Sequence, residues 1–343
     1  MNQFLKNINS LQLELSSNCN LKCLGCARLD LKDYNSISPF IKKNEFIDLD
    51  ILKNMIDSPH CENLEYIDFC GTIDDPLMYP YLLELVEYII NKDVKVIVQT
   101  NGSLRNVEYF KKLASIISKC DRSYVKFSVD GLEDTNHLYR RGSSWNKIIE
   151  NATTYIGAGG PAEWQFLIFP WNKHQIDEAK QLATEMGFFR FITRPDRSNV
   201  TIDEDELKAE NELFARRLLV SWEDKINGYN EMAQKYEISC GAQNEQRYFI
   251  SYDAKVWPCC FIPNGQYTYY TKWKEYTDRF DLHYDTEWNS LYSHSFDEIL
   301  NHDFYKNDLV QSFDSKHHGT GKYDRIVRCT ATCSKKCKIG ENT

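Results

Sequence analysis

Cys19, Cys23 and Cys26 lie within eight residues of the stretch SSNCNLKCLGCARLD, and six more cysteines (Cys240, Cys259, Cys260, Cys329, Cys333 and Cys337) lie late in the chain. An odd trio cannot pair off as disulfides. A closed zinc site wants four ligands, and neither a His nor a fourth Cys stands nearby to complete one. An iron–sulfur cluster with an open coordination position fits better. Three thiolates hold three irons of a [4Fe–4S] unit, and the free fourth iron can take the amine and carboxylate of an amino-acid-like ligand. In the late group, SCGAQNEQRYFISYDAKVWPCC (239–260) reads as a β-hairpin with thiols near its ends, followed by CTATCSKKCKIG (329–340). Cys259 and Cys260, adjacent in a strand, should point to opposite faces. A four-thiolate structural zinc site is the competing reading of this late group. Cys61, Cys70 and Cys120 are isolated and read as small buried apolar side chains.

Elements that could position the first trio alternate regularly between residues 11 and 195. Strand-like runs are LQLEL (11–15), YIDF (66–69), VKVIVQ (94–99), YVKFSV (124–129), WQFLIF (164–169) and FRFIT (189–193). Between them lie segments of helical period: LDILKNMIDS, YLLELVEYIINK, NVEYFKKLASIISK, SWNKIIENATTYI and NKHQIDEAKQLATEMG, the last ending on a Met186-Gly187 stop. Six such units imply a parallel α/β sheet, open or barrel-like, with ligands gathered at the carboxyl ends of the strands. The cysteine trio follows the first strand directly, at such an end.

CNLKCLGC there resembles the signature of the radical S-adenosylmethionine (radical SAM) superfamily, whose cluster reductively cleaves S-adenosylmethionine (SAM) to a 5′-deoxyadenosyl radical. Gly25 departs from the pattern, since many members place an aromatic residue there against the adenine. FCGTIDDPLMYP (69–80) resembles the family's glycine-rich Glu-Pro segment, with Asp75-Pro76 for Glu-Pro, so Gly71, Thr72 and Asp75 are expected around the SAM amine. VQTNGS (98–103) resembles the third strand ending and implicates Thr100 and Asn101. FSVDGLEDTNHLYRRG (127–142) resembles the fourth, and implicates Ser128 with Arg140 or Arg141, an arginine suiting a carboxylate. Gln165 is a further candidate for the methionine end. No catalytic acid or base is singled out.

The resemblance implies a partial (β/α)6 barrel over residues 1–200, a helical connector over 201–238, and over 239–343 a small cysteine-rich α+β extension of the SPASM or twitch type. Two auxiliary clusters would take about eight thiolates at four each. Six late cysteines supply fewer, so one auxiliary [4Fe–4S] cluster is expected, on Cys240, Cys259 and two of Cys329, Cys333 and Cys337. The implied activity is hydrogen abstraction from a peptide or protein, or from a small molecule such as an aminocyclitol-like alcohol, with flavodoxin or ferredoxin as reductant. Molybdopterin-precursor cyclisation is a third relative, but the chain ends KIGENT without its terminal Gly-Gly. A non-catalytic zinc-binding interaction protein would leave the strand-end motifs unexplained.

A formal charge of −9 argues against a nucleic-acid-coating surface, and no apolar run approaches membrane-spanning length. The opening MNQFLKNINSLQLEL lacks a secretory pattern, so a reducing, cytoplasmic setting is expected. The aromatic segment after residue 263 is read as packing for a loop-rich domain, and His317-His318 as a loop.

Overall fold

Leu11, Leu13, Ile67, Phe69, Val96, Val98, Val125, Phe127, Trp164 and Phe166 alternate along five strands and are all essentially inaccessible to solvent. This period of two gives the sheet an apolar outer face for its helices to cover. In the computed structural model the described residues are 7–30, 35–195, 236–263 and 287–314, with Phe4, Asp33, Lys316, Ile326, Cys329 and 333–338. Most of the expected connector, the segment 264–286 and His317-His318 lie outside them.

The six expected strands form: β1 Ser10–Leu13, β2 Tyr66–Phe69, β3 Lys95–Thr100, β4 Tyr124–Ser128, β5 Ala162–Ile168 and β6 Arg190–Pro195. Each pairs in parallel with the next, in the order β6-β5-β4-β3-β2-β1. The intervening helices are α1 Leu49–Ile56, α2 Leu82–Ile90, α3 Val107–Ile117, the short α4 Asn136–Tyr139, α5 Trp145–Gly157 and α6 Ile176–Met186. Helix α2 buries Leu82, Leu85, Val86 and Ile89, and α3 buries Phe110, Leu113, Ala114 and Ile117. Both sets follow the i, i+3, i+4, i+7 stripe of a helix that packs on one side. Asn106 caps α3 by accepting the Tyr109 N–H (3.0 Å), and α6 ends on Gly187 in the left-handed region.

The late hairpin is present as β8 Arg247–Ile250 and β9 Val256–Trp257, after a short strand β7 Tyr236–Ile238 that pairs with β10 Ser334–Lys338. Strand β8 lies parallel to β1, with Leu11 opposite Tyr248 and Leu13 opposite Ile250. One eight-stranded sheet therefore joins the alternating units to the hairpin.

The inner face is polar, unlike the stacked branched apolar layers that fill a closed barrel. Gln99 bonds Asp68 (2.9 Å), and Lys126 (3.6 Å) and Arg190 both reach the fully buried Glu163. This face leads upward to the strand ends.

The turn after β4 is tight. A Cβ on Gly131 (φ 146°) would stand 2.2 Å from Thr135 Oγ1 and 2.8 Å from the Asn136 nitrogen. Gly131→Ala is therefore expected to cost about 2 kcal/mol or more, because backbone must move. Gly157→Ala, at the last helical residue of α5 with no neighbour within 4 Å, should be neutral or stabilising by under about 1 kcal/mol. Thermal denaturation of the pair tests this, and equal melting temperatures would refute it.

Candidate functional site

The carboxyl ends of β1 to β5 surround one cavity of about 330 Å³. Cys19, Cys23 and Cys26 line it from the loop after β1; Gly71, Thr72 and Asp75 from the loop after β2. Thr100 and Asn101 enter from β3, Ser128 and Gln165 from β4 and β5, and Arg140 from the end of α4. Arg141 does not line it; its carbonyl accepts the Lys22 N–H (3.0 Å), while that of Tyr139 accepts the Leu24 N–H (3.1 Å). Of the two adjacent arginines, one thus faces the cavity and the other holds the cysteine loop through its backbone.

Two adjacent carboxylates organise this end of the sheet. Asp75 accepts from the Leu77 N–H (3.0 Å), the Thr100 hydroxyl (3.0 Å), the Asn101 N–H (2.8 Å) and the Asn101 amide (2.6 Å). Its own N–H donates to the Asn18 carbonyl (2.9 Å), and Asn101 also donates to Asn20 Oδ1 (2.9 Å). Asp74 reaches the other way: its Oδ2 accepts the Leu15 and Ser16 N–H groups, both at 3.1 Å. Glu14 Oε1 in turn accepts the Ile73 N–H (2.6 Å). Asp74 Oδ1 and Glu14 Oε2 are buried without a hydrogen-bond partner among the described residues.

Asp75, the carboxylate the motif singles out, is thus occupied in joining β2 to β3, while Asp74 keeps an unpartnered oxygen in a residue that lines the cavity. Asp74, Glu14 and Arg28 went unnoticed in the sequence. Glu14 had a signal: in LQLEL it shares the inward parity of Gln12, at the end where ligands gather. Arg28 lines the cavity, is 6% exposed, and donates from Nε to the Ser17 carbonyl (3.1 Å).

Electrostatics follow from burial. Glu14 and Asp74 stand well above the usual carboxylate range, first because burial disfavours charge and then because of the neighbouring carboxylate, Asp74 for Glu14 and Asp75 for Asp74. Burial also raises Asp75, against the opposing pull of its N–H donors. For Arg140, burial works against the charge, but Asp130, 2.7 Å from Nε, and Cys23 more than offset it. The cavity therefore keeps a charged guanidinium for an anionic ligand group. Burial raises all three thiols: Cys19, with Asp75 adding to the rise; Cys23, pushed up to about 12 despite Arg140; and Cys26.

Such thiols stay protonated until a cation joins them, and soft thiolates in an otherwise oxygen-rich cavity suit an iron–sulfur cluster. Among the described residues no three His, Cys, Asp or Glu side chains converge as ligands to a single ion do. Thiolates that each take a different iron of a cluster need not converge.

The late cysteines meet elsewhere. Cys240, Cys259, Cys329 and Cys333 line one small cavity of about 10 Å³, walled by Pro258, Phe261, Ile262, Leu309 and Phe313. Burial pushes Cys259 up to about 12, with Cys260 adding to the rise. Cys260 does not line this cavity, and Cys337 lies on β10, whose side chains are outside the described residues.

The sequence profile of the radical SAM superfamily matches residues 13–183, the stretch that carries β2 to β5 and the residues lining this cavity, and the chain belongs to that superfamily. Among curated proteins it is similar to Fe-coproporphyrin III synthase of Methanosarcina barkeri, 31% identical over 37% of this chain and 28% of that protein. It is also similar to the tungsten-containing aldehyde ferredoxin oxidoreductase cofactor-modifying protein of Pyrococcus furiosus, 28% identical over 38% of this chain and 33% of that one. The matched region thus spans a third or less of these relatives. Among solved structures, anSMEcpe with bound AdoMet and a peptide superposes with a TM-score of 0.52 at 16% identity, covering 94% of this chain and 88% of that one. That likeness extends the shared fold past the profile match. Among the described residues no helix is long and apolar enough to cross a membrane.

Two outcomes test this electrostatic reading. Asp75→Asn leaves one acceptor oxygen for four donors and should cost about 2 kcal/mol or more, seen as a lower urea midpoint at unchanged slope. Glu14 is an acid whose folded pKa is raised, so the folded state loses stability as pH climbs from the unfolded value through the raised one. Wild type should therefore lose melting temperature relative to Glu14→Gln as pH rises from about 4. A difference that does not change with pH would contradict the assignment.

Proposed function

We propose that this chain reductively cleaves SAM on a [4Fe–4S] cluster held by Cys19, Cys23 and Cys26, and abstracts a hydrogen atom from a substrate, most naturally a peptide or protein. The observation that carries the reading is the convergence of three otherwise unpaired thiols with five strand ends on one cavity. With cluster and SAM bound, the group supplies a 5′-deoxyadenosyl radical, the hard chemistry that side chains alone do not provide.

The protein's own residues bind and orient. Arg140, kept charged by Asp130, suits the ligand's carboxylate, and Asp74, with its unpartnered oxygen, suits an amine N–H. Asp75 positions Thr100 and Asn101 rather than meeting the ligand itself. Ser128 and Gln165, opposite one another in register, supply polar groups at the inner wall.

Cys240, Cys259, Cys329 and Cys333 are the assigned ligands of one auxiliary [4Fe–4S] cluster in a twitch-type extension. Their meeting in one apolar cavity supports that set over one using Cys260. The peptide in anSMEcpe favours a peptide substrate here as well. A flavodoxin- or ferredoxin-like donor and a cytoplasmic setting complete the proposal.

Anaerobic reconstitution followed by iron counting and a SAM-cleavage assay tests it. About eight irons per chain are expected, about four after replacing Cys19, Cys23 and Cys26 by Ala, with 5′-deoxyadenosine lost. Cys240→Ala with Cys329→Ala should also fall to about four irons yet keep cleavage. Zinc alone with no deoxyadenosine would overturn the reading.

A further inference from the structure

Tyr139 carries the one aromatic ring among the described residues that line the cavity. The ring is held by its neighbours, and the Arg140 guanidinium carbon lies over it, 5.5 Å from its centroid. Its centroid lies 4.5 Å from that of Phe169, and Phe169 stacks on Trp171 at 4.6 Å with 7° between the planes. Phe169 is buried, so the series Trp171, Phe169, Tyr139 runs from the end of β5 to the cavity wall.

The loop that carries the ladder is fixed. The Phe169 N–H donates to Asn172 Oδ1 (2.7 Å), and the Asn172 amide donates to the Asp130 (2.9 Å) and Leu167 (2.8 Å) carbonyls. Leu24 of the cysteine loop is fully buried against Tyr139 and Trp171, and its N–H donates to the Tyr139 carbonyl. Beside it Gly25, with φ of 70°, lines the same cavity as bare backbone. A planar ligand group can thus approach Tyr139 past Gly25 without meeting a side chain at that position.

We infer that Tyr139, braced by Phe169 and Trp171, is the stacking surface for the purine of a bound adenosyl ligand. The inference rests on the reading that the cavity takes SAM. Offset or tilted ring pairs are favourable beyond their buried area, and a ring already fixed by its neighbours loses little freedom when a base settles on it. The remaining cavity lining is mainly thiol, carboxyl, hydroxyl and amide, so a base has no comparable apolar plane elsewhere on it.

The test measures binding, not turnover, on the reconstituted protein with three probes: SAM, adenosine, and S-methylmethionine, which keeps the amino-acid end and lacks the base. Tyr139→Ala should weaken adenosine and SAM about ten-fold and leave S-methylmethionine within about two-fold, the size of one lost base stack. Tyr139→Phe should retain both. Adenosine should quench tryptophan fluorescence in wild type, with most of the quench gone in Trp171→Phe.

Unchanged adenosine binding by Tyr139→Ala would overturn the inference. So would an equal loss of S-methylmethionine, which marks a general collapse of the loop. Wild type that binds adenosine but neither SAM nor S-methylmethionine would instead overturn the reading of the cavity, with the stacking surface left standing.

Discussion

The adjacent carboxylates Asp74 and Asp75 are the constraint on which the active end of this molecule depends. Parallel strands end as separate loops, and nothing in sheet hydrogen bonding fixes one loop against the next. Asp75 reaches sideways to Thr100 and Asn101 on β3, and Asp74 reaches back to Leu15 and Ser16 at the exit of β1. The loop bearing Cys19, Cys23 and Cys26 starts from that exit, and Asn18 and Asn20 tie it to the same group. Hydrogen bonds from buried backbone N–H groups are directional and costly to leave unmade, so the geometry of three strands is set by two residues.

That arrangement is electrostatically expensive. Glu14, Asp74 and Asp75 are buried together, and burial raises the pKa of all three. Low dielectric makes each unpaired charge costly, so the site favours whatever adds positive charge or N–H donors to it. The thiols are in the same position, since burial keeps them protonated in the absence of metal. Binding a cation to such thiols therefore releases protons. Binding energy that would otherwise be spent ordering loops is stored in advance, because the hydrogen bonds of Asp74 and Asp75 already hold the loops in place.

Much of this was legible in the sequence, and the failures have physical reasons. β2 was expected at Tyr66–Phe69 and is found there, because an apolar alternation bounded by turn residues is a local signal. β5 begins at Ala162, earlier than WQFLIF suggests, because Glu163 looks like a strand boundary until Lys126 and Arg190 on neighbouring strands compensate its charge. Asp75 was singled out and Asp74 passed over, since a motif marks position in a pattern and not which oxygen is left without a donor. The cavity shared by Cys240, Cys259, Cys329 and Cys333 spans a wide stretch of chain, and spacing alone could not choose among the last three cysteines.

Least legible was the parallel pairing of β8 with β1, a contact between residues more than two hundred positions apart that leaves no local trace. Its consequence is mechanical. Cys259 follows β9 by two residues, β9 is hydrogen-bonded to β8, and β8 to β1, whose exit leads into the first cysteine loop. Cys259 and the first cysteine loop therefore hang from one continuous ladder of backbone hydrogen bonds. Close-packed, hydrogen-bonded sheets resist shear, so the separation of the two sites is a property of the fold and is fixed before any ligand arrives. Electron transfer between the two proposed clusters would need that constancy.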